Sequence, residues 1–242
     1  MANQSSCQNE WESFAEEWIQ KMRDGDPHRV GLLDEWMLAA IGEVGGLRII
    51  DLGCGEGRFC RMLAERGAAV TGVDFVPAFI EYASAHNVGD ETYLVGDIQD
   101  LNEVPDESFD LAVSYVSLVD VPDLTRAVGE AYRIVRSGGR FIVCNLQPMS
   151  TAGNCWIKDE SGRKLHFRLD NYFDESARPM GSITDFHRTL STHINTFLEA
   201  GFGLIGIREP KPSPNQLERY PEIDDLLRVP HFIIYLLRKD AS

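Results

Sequence analysis

The chain has 242 residues, of which 43% are hydrophobic and 25% are charged, and it carries a formal net charge of −15. This length and balance are typical of one large globular domain or of a domain with a small lid. The acidic excess argues against nucleic-acid substrates and anionic membrane surfaces, because both kinds of partner are bound through basic residues.

Both ends of the chain and its cysteines indicate where the protein resides. Residues 1–10 are polar and lack the apolar segment of a secretory signal. The apolar run 232–237 is too short to span a bilayer. The five cysteines form no close CxxC pair, which is typical of reduced thiols. We therefore expect a cytoplasmic protein that does not bind a membrane.

Before the first predicted strand, apolar residues recur at helical spacing in two segments that are separated by Asp24-Gly-Asp-Pro27. They predict helices over 10–22 and 30–43. Strands and helices then alternate, which predicts an α/β fold with a doubly wound parallel sheet. The predicted strands are 47–51, 69–74, 91–95, 109–114, 139–145, 203–209 and 231–238, and the predicted helices between them are 57–66, 77–86, 123–136 and 189–200.

Two connections between these elements are long. The stretch 149–187 is irregular and rich in aromatic residues, and its length predicts an inserted lid. The segment 210–230 contains five prolines and is expected to be a connecting loop with at most one short helix.

The most informative segment is the turn after the first predicted strand, Asp51-Leu-Gly-Cys-Gly-Glu-Gly57. Alternate glycines allow positive φ and let a ligand lie against bare backbone beside a helix start. A dinucleotide fingerprint needs a third small residue where this chain has Arg58 or Cys60. Asp51 and Glu56 would repel a diphosphate, whereas S-adenosylmethionine has no phosphate and carries net positive charge. The turn therefore favours S-adenosylmethionine over NAD.

Further motifs follow this turn in order, at the spacing of successive strand–helix units. They are Val70-Thr-Gly-Val-Asp-Phe75, Gly96-Asp-Ile98, and Phe109-Asp-Leu-Ala-Val-Ser-Tyr115 with Ser137-Gly-Gly-Arg-Phe-Ile-Val143. With them the chain resembles the class I S-adenosylmethionine-dependent methyltransferases over nearly its whole length. The downstream segments Tyr172–Glu175 and Phe186–Leu190 resemble a broad bacterial subgroup that acts on small molecules.

The resemblance implies a seven-stranded Rossmann-like sheet, mostly parallel with the last strand antiparallel. It also implies an enzyme that transfers a methyl group from S-adenosylmethionine to a small-molecule acceptor, at oxygen or nitrogen. Two alternatives stay open at this point: a NAD-type dinucleotide oxidoreductase, and a non-catalytic S-adenosylmethionine-binding scaffold. The expected assembly is a monomer or a homodimer.

In such sheets a ligand lies beyond the carboxyl ends of the strands, where the strand order reverses. Asp74 at the end of the second strand is predicted to accept both ribose hydroxyls, with a helix cap at Pro77 as the alternative. Asp97 is predicted to accept the adenine amino group while the Ile98 N–H reaches a ring nitrogen, with an Asx turn as the alternative. Phe75 is a candidate to stack on adenine.

The methionine part of the cofactor needs groups that bind an ammonium and a carboxylate. Asp51 and the Gly53 carbonyl are the predicted ammonium acceptors, and Ser114 is predicted to face the methionine arm. Trp18 and Arg29 are predicted to reach the carboxylate, with core packing and a solvated surface role as their alternatives. The predicted cofactor-binding set is Trp18, Arg29, Asp51, Gly53, Gly55, Asp74, Phe75, Asp97, Ile98 and Ser114.

Methyl transfer is an in-line displacement with a good leaving group, so the protein mainly aligns the reactants, an effect of up to roughly 7–11 kcal/mol. An oxygen or nitrogen acceptor that needs a base points to histidine. His187 is the first catalytic candidate, although a residue in its position can also simply bond backbone at a helix start. Tyr115 and Tyr172 are the other candidates. No metal is expected, because no cluster of residues has metal-ligand spacing.

These expectations divide the chain without splitting it into separate domains. We expect a single methyltransferase domain over 1–242, with a helical cap (10–43), a cofactor-binding core (44–148), a lid or substrate insertion (149–187) and a carboxyl-terminal helix with a strand hairpin (188–242).

Overall fold

The structure is a computed structural model that describes residues 4–240, with only the backbone at position 154. Its strands are β1 (Arg48–Leu52), β2 (Ala69–Asp74), β3 (Glu91–Val95), β4 (Phe109–Tyr115), β5 (Val135–Leu146), β6 (Gly153–Lys158), β7 (Lys164–Asp170), β8 (Ala177–Met180), β9 (Ile183–Phe186), β10 (Phe202–Arg208) and β11 (Phe232–Lys239). Its α-helices are α1 (Gln4–Asp24), α2 (Asp34–Ile41), α3 (Arg58–Ala64), α4 (Pro77–Ala85), α5 (Leu124–Ile134), α6 (Pro148–Thr151), α7 (Leu190–Glu199) and α8 (Pro214–Arg219).

Seven of these strands form the central sheet, in the spatial order β10-β11-β5-β4-β1-β2-β3. The pairs β1–β2, β2–β3, β1–β4 and β4–β5 are parallel, and β11 runs antiparallel to both β5 and β10. The predicted doubly wound sheet with an antiparallel last strand is therefore confirmed. The strand order reverses between β1 and β4, which places the expected ligand crevice above their carboxyl ends.

Both faces of the sheet are covered, so its strands are apolar on both sides. Ile49 and Ile50 are neighbours on β1 and are both fully buried, one in each of the two main core clusters. One cluster is filled by α5 and α7, and the other by α2 and α3. A third, smaller cluster joins α1 to α4 and includes Ala15 and Phe79.

Local sequence signals explain where several helices begin. Pro77 occupies the first turn of α4, where a missing N–H is tolerated. Asp123 and Thr189 cap α5 and α7 with their side-chain oxygens, and Ser213 with Gln216 forms a capping box on α8.

The predicted helix over 30–43 is interrupted in an informative way. Residues Arg29–Leu33 form a π-helical turn, and a regular α-helix begins only at Asp34. A π turn inserts extra backbone into a helix and is frequently found at functional sites. Here it carries Arg29 at its start.

The prediction that 149–187 is irregular was wrong. The stretch folds into two antiparallel hairpins, β6–β7 and β8–β9, which are separate from the central sheet. Most residues of β7 and β8 are exposed, so these strands lack the buried face that makes a strand recognisable in sequence. No helix within residues 4–240 is both long enough and apolar enough to cross a bilayer.

Candidate functional site

The turn between β1 and α3 is shaped by its glycines. Gly53 and Gly55 have φ values of 78° and 53°, in the left-handed region that favours glycine. A Cβ at Gly53 would collide with the side chain of Ser117, while one at Gly55 would point toward Trp18 Nε1 at 3.7 Å. The turn can therefore form only with glycine at 53, and it leaves bare backbone facing the space under Trp18.

A cleft with about 810 Å³ of space, part of it open to solvent, lies over the carboxyl ends of β1, β2 and β4. Its position is the point where the strand order reverses, as expected for this architecture. Nine of the ten residues predicted to bind the cofactor line it, and so does Tyr115. The nine are Trp18, Arg29, Asp51, Gly53, Gly55, Asp74, Phe75, Asp97 and Ile98.

Asp51 is the most deeply buried acid of this cleft, with 1% of its surface exposed. Its Oδ2 is 3.4 Å from the Cys60 thiol, and no described group donates a hydrogen bond to its Oδ1. Burial raises the pKa of this carboxyl to about 7. A buried carboxylate oxygen without a donor is costly in an empty cleft, and a ligand ammonium group would satisfy it.

Asp74 connects two turns at the edge of the cleft. Its Oδ2 accepts the Gly55 N–H at 2.9 Å and its Oδ1 accepts the Val76 N–H at 3.0 Å. Burial raises its pKa to about 6. Because each carboxylate oxygen has a second acceptor site, these bonds leave room for the two ribose hydroxyls that the sequence predicts.

Asp97 lines the cleft but is already engaged. Its Oδ1 accepts the Gln99 N–H at 2.9 Å, which is the Asx turn considered as the alternative. The Gln99 amide also lies 3.0 and 3.1 Å from the two carboxylate oxygens, and it reaches Gln4 of α1 at 2.6 Å. Asp97 therefore ties the third strand region to α1, and its contact with adenine stays a prediction.

Helix α1 forms the roof of the cleft. Trp11 stands edge-on to Trp18 at 5.3 Å between ring centroids, and it packs against Phe79 of α4 at 6.1 Å. All three rings line the cleft. The amphipathic pattern of α1 thus serves the site, because its aromatic face covers a ligand space as well as a core.

Arg29 is oriented by two aromatic rings. Its guanidinium carbon lies 5.4 Å from the Trp18 ring and 4.8 Å from the Tyr115 ring, and Nη1 donates to the Tyr115 carbonyl oxygen at 3.2 Å. This arrangement holds a cation at the border of the cleft without an acidic partner in the same contact. The predicted role in binding a carboxylate is compatible with that geometry.

Tyr115 borders the cleft, but its hydroxyl is occupied. It donates a hydrogen bond to Asp34 Oδ1 at 2.9 Å. Asp34 also accepts hydrogen bonds from Nη1 and Nη2 of Arg58 at 2.7 and 2.8 Å. Burial raises the pKa of the Tyr115 phenol above its ordinary range. The phenol is therefore a fixed hydrogen-bond donor to Asp34, which is a different geometry from a base that faces an acceptor.

Ser114 does not reach the cleft. Its side chain is fully buried and its Oγ lies 2.7 Å from Ser117 Oγ. Ser117 lines the cleft instead, and its hydroxyl donates to the Leu52 carbonyl oxygen. No sequence pattern points to Ser117, because its role depends on the close approach of the Gly53 backbone.

The other two catalytic candidates lie away from the cleft. His187 is 1% exposed, with Nδ1 at 2.7 Å from Thr151 Oγ1 and Nε2 at 2.8 Å from the Tyr172 carbonyl oxygen. The Tyr172 hydroxyl accepts the Leu190 N–H at 2.9 Å. Neither residue lines the cleft or the chamber beside it. Together they join the inserted hairpins to α7.

A second chamber of about 680 Å³ adjoins the cleft. The two spaces share part of their walls, including Trp18, Arg29 and Asp120. The second chamber also contains Asp185 of β9. Neither acid was predicted from the sequence, although each stands in a short segment bounded by apolar residues, Leu118-Val-Asp-Val121 and Ile183-Thr-Asp-Phe186.

Comparison with known proteins identifies the class. A family model described as a methyltransferase domain matches residues 50–143. An S-adenosylmethionine-dependent methyltransferase from Mesorhizobium loti, a solved structure, is 32% identical; the match covers 89% of this chain and 99% of that one, with a TM-score of 0.79. The chain belongs to the S-adenosylmethionine-dependent methyltransferases, and it is an enzyme that uses S-adenosylmethionine.

Two curated relatives resemble it over part of their length. A malonyl-(acyl-carrier protein) O-methyltransferase from Pectobacterium atrosepticum is 32% identical over 148 residues, which are 60% of this chain and 58% of the relative. A ubiquinone biosynthesis O-methyltransferase from Pseudomonas entomophila is 31% identical over 149 residues, with 57% of this chain and 62% of the relative covered. The chain thus spans about three fifths of the length of these relatives.

The cleft fits S-adenosylmethionine on two observations. The free Oδ1 of buried Asp51 is suited to the cofactor ammonium, and the glycine turn leaves backbone that a side chain would cover. Arg29 lies on the same border of the cleft and is suited to the cofactor carboxylate. These groups match the charged ends of the methionine moiety.

Proposed function

We propose that this enzyme transfers the methyl group of S-adenosylmethionine to a small-molecule acceptor, at an oxygen or a nitrogen atom. The single observation that carries this proposal is the chamber of about 680 Å³ that opens onto the cofactor cleft. It is lined mainly by apolar and aromatic side chains with a few charged groups, which is typical of small-molecule sites. The net charge of −15 argues against nucleic acid as the acceptor, and the two curated relatives are named O-methyltransferases.

In this proposal the chain's residues mainly bind and orient the reactants. Asp51 holds the cofactor ammonium, Arg29 its carboxylate, Asp74 the ribose hydroxyls, and Asp97 with the Ile98 N–H the adenine. Bound S-adenosylmethionine supplies an activated methyl group whose departure from sulfur needs no acid. Correct alignment can account for up to roughly 7–11 kcal/mol of the barrier.

Exclusion of water is the second task of the chain. The aromatic face of α1 covers the cofactor cleft, and Met180 and Ile183 of the β8–β9 hairpin cover the chamber. We propose that α1 and this hairpin are the movable roof, and that the β6–β7 hairpin lies outside it. Of the lid predicted over 149–187, this proposal keeps only the β8–β9 hairpin.

The test uses S-adenosylmethionine with a heavy-labelled methyl group. The purified enzyme is incubated with a bacterial extract that has been separated into small-molecule, protein and nucleic-acid fractions, and the label is followed by mass spectrometry. We expect label in the small-molecule fraction, on oxygen or nitrogen. Asp74→Ala should lose this labelling, and Asp110→Asn, which changes an acid near the amino-terminal end of β4 that accepts the Arg48 N–H, should retain it.

Label that appears only in protein or nucleic acid would contradict the proposal. Label on carbon would contradict its acceptor atoms. Tight cofactor binding with no label in any fraction would favour the non-catalytic scaffold instead.

A further inference from the structure

Two buried acids meet where the cofactor cleft joins the second chamber. Asp120 lies at the end of a short 3-10 turn, Leu118–Asp120, that follows β4, and Asp185 lies on β9. Their carboxyl groups are close enough for one to donate a hydrogen bond to the other. Asp120 lines both spaces, and Asp185 lines the chamber.

The rest of the protein leaves this pair without donors. Asp120 is 9% exposed and Asp185 is 4% exposed. Apart from the hydrogen bond that one of the two can donate to the other, no described group donates to Oδ1 of Asp120 or to Oδ2 of Asp185. Buried carboxyl groups are normally paired with a cation or with several donors, so an acid pair in the chamber wall whose members have only each other points to a ligand.

The basic residues of the chamber have other partners. Lys21 forms an ion pair with Asp26 at 3.1 Å. Arg29 acts on Asp120 by its charge, but its Nη1 is directed to the Tyr115 carbonyl oxygen. The pair therefore keeps negative charge that no hydrogen-bonded cation of the described chain neutralises.

Burial determines how much charge the pair holds. It raises the pKa of Asp185 to about 6, and it raises the pKa of Asp120 further because the Asp185 charge lies beside it. Near neutral pH the pair consequently shares one proton and carries about one negative charge. Such a pair can both accept a hydrogen bond and take up one more proton.

Arg188 fixes the geometry of the pair. Its guanidinium donates to the carbonyl oxygens of Val121 and Pro122 at 2.5 and 2.9 Å. It thereby clamps the loop after Asp120 onto the segment that follows Asp185. This clamp holds the two acids side by side in the wall of the chamber.

Apart from Lys21, Arg29, Asp26 and His28, the remaining walls of the chamber are apolar and aromatic. Trp11, Trp18 and Phe232 supply rings, and Met180 and Ile183 supply aliphatic surface. A cation on an apolar body would match both properties, because rings attract cations through their faces and the acid pair supplies the counter-charge.

We infer that the Asp120–Asp185 pair is the recognition site for the reacting group of the acceptor, and that the acceptor is an amine on an apolar or aromatic body. This inference rests on the proposed function and narrows its acceptor atom to nitrogen. The amine enters as an ammonium ion, is bound by the pair, and gives one proton to the Asp185 carboxylate. The neutral nitrogen then forms the bond to the methyl carbon while the carbon–sulfur bond breaks, and the electron pair of that bond stays on sulfur.

The test measures the binding of three probes of matched size by calorimetry, on protein saturated with S-adenosylhomocysteine. Phenethylamine carries the predicted cation, phenethyl alcohol a neutral donor, and hydrocinnamate an anion. We expect phenethylamine to bind at least tenfold more tightly than the alcohol, and hydrocinnamate to bind most weakly. Asp185→Asn should abolish the preference for the amine.

The control variant is Asp174→Asn, the same chemical change at an acid whose side chain is 72% exposed in the same inserted segment. It should keep the preference for phenethylamine. Because Asp185 lies outside the cofactor cleft, Asp185→Asn should bind S-adenosylhomocysteine within twofold of the unaltered protein, which also establishes that the variant is folded. The order in which the unaltered protein binds the three probes is a test that does not depend on any variant.

Three results would overturn the inference: tighter binding of the alcohol or of hydrocinnamate, no phenethylamine binding at millimolar concentration, or an undiminished amine preference in Asp185→Asn. Failure of the unaltered protein to bind S-adenosylhomocysteine would instead overturn the proposed function, and the inference with it. If the unaltered protein binds S-adenosylhomocysteine but does not prefer phenethylamine, the inference about the acid pair fails and the proposed function stands.

Discussion

Asp51 illustrates how a single carboxyl group can be costly to the fold and necessary to the site. It lies one residue before the end of β1, a strand in which only Arg48 is exposed, and it receives one weak thiol contact. In the absence of ligand, its burial opposes ionisation and destabilises the charged form. The same property makes its oxygen a strong acceptor for an ammonium group.

The first prediction concerns the pH dependence of stability without ligand. The pKa of Asp51 is raised from 3.8 to about 7 in the folded protein, so between these values the native state binds more protons than the unfolded state. The free energy of unfolding should therefore fall as pH rises from about 4 to about 7, by up to about 4 kcal/mol from this residue. Asp51→Asn should remove much of this fall, measured by urea denaturation at pH 5, about one unit inside that window, and at pH 7.5, about half a unit above it. An unchanged fall in the variant would contradict the assignment.

The second prediction concerns Asp74. Asp74→Ala should weaken S-adenosylhomocysteine binding at least tenfold, because the ribose hydroxyls lose a charged acceptor. Since Asp74 also holds two backbone N–H groups, the decisive comparison uses an analogue that lacks both ribose hydroxyls. Calorimetry should find that the analogue binds the unaltered protein weakly, and that Asp74→Ala does not weaken the binding of the analogue further.

The outcomes separate the two roles of Asp74. If the substitution weakens the analogue as much as it weakens S-adenosylhomocysteine, Asp74 only orders the turns and does not contact the ribose. Asp110→Asn serves as the control for changing a strand acid.

Among the elements, those bounded by residues that begin or end a helix or strand were predicted best. The ranges predicted for β2 and β3 agree with the structure, and α4 ends one residue earlier than predicted. β5 begins at Val135, four residues before its predicted start, because α5 passes into it directly at Ile134 without a turn residue. The exposed hairpins β6–β7 and β8–β9 were missed, since neither has the buried alternation that identifies a strand.

The third prediction concerns the elements that cover the site. Cofactor should protect backbone amides of α1 from hydrogen exchange, because Trp11 and Trp18 roof the cleft. The β6–β7 hairpin should exchange equally with and without cofactor, because Trp156 is instead bonded to Asp225 at 3.1 Å outside both spaces. Hydrogen exchange followed by mass spectrometry compares the two elements in one sample.

Equal exchange of α1 in the two states would show that the roof does not contact the cofactor. Protection of β6–β7 that matches that of α1 would restore the larger lid over 149–187 that the sequence suggested.

At the scale of the whole molecule, the sequence predicted the class, the sheet and most of the cleft, because four motifs mark the carboxyl ends of known strands. It did not predict the second chamber. That chamber forms because β9 brings Asp185 to the loop that carries Asp120. The spacing of residues in the sequence does not predict this contact. His187 was chosen for its chemistry, and the fold instead uses its two ring nitrogens to join Thr151 and Tyr172.

The overall charge adds to the local picture. A net charge of −15 favours the approach of positively charged ligands to the whole molecule. The acids that ring the glycine turn extend this preference into the cleft, where burial strengthens each interaction. We therefore expect the cleft to be selective for a positively charged nucleoside without phosphate.

The most direct test of this claim is a calorimetric titration of the purified protein with S-adenosylmethionine, S-adenosylhomocysteine and NAD. We predict binding of the first two ligands with release of protons between pH 6 and pH 7, because an ammonium group favours the ionised form of Asp51, whose pKa is raised by burial to about 7. NAD should give no binding heat. Binding of NAD, with no heat from either sulfur nucleoside, would contradict the account.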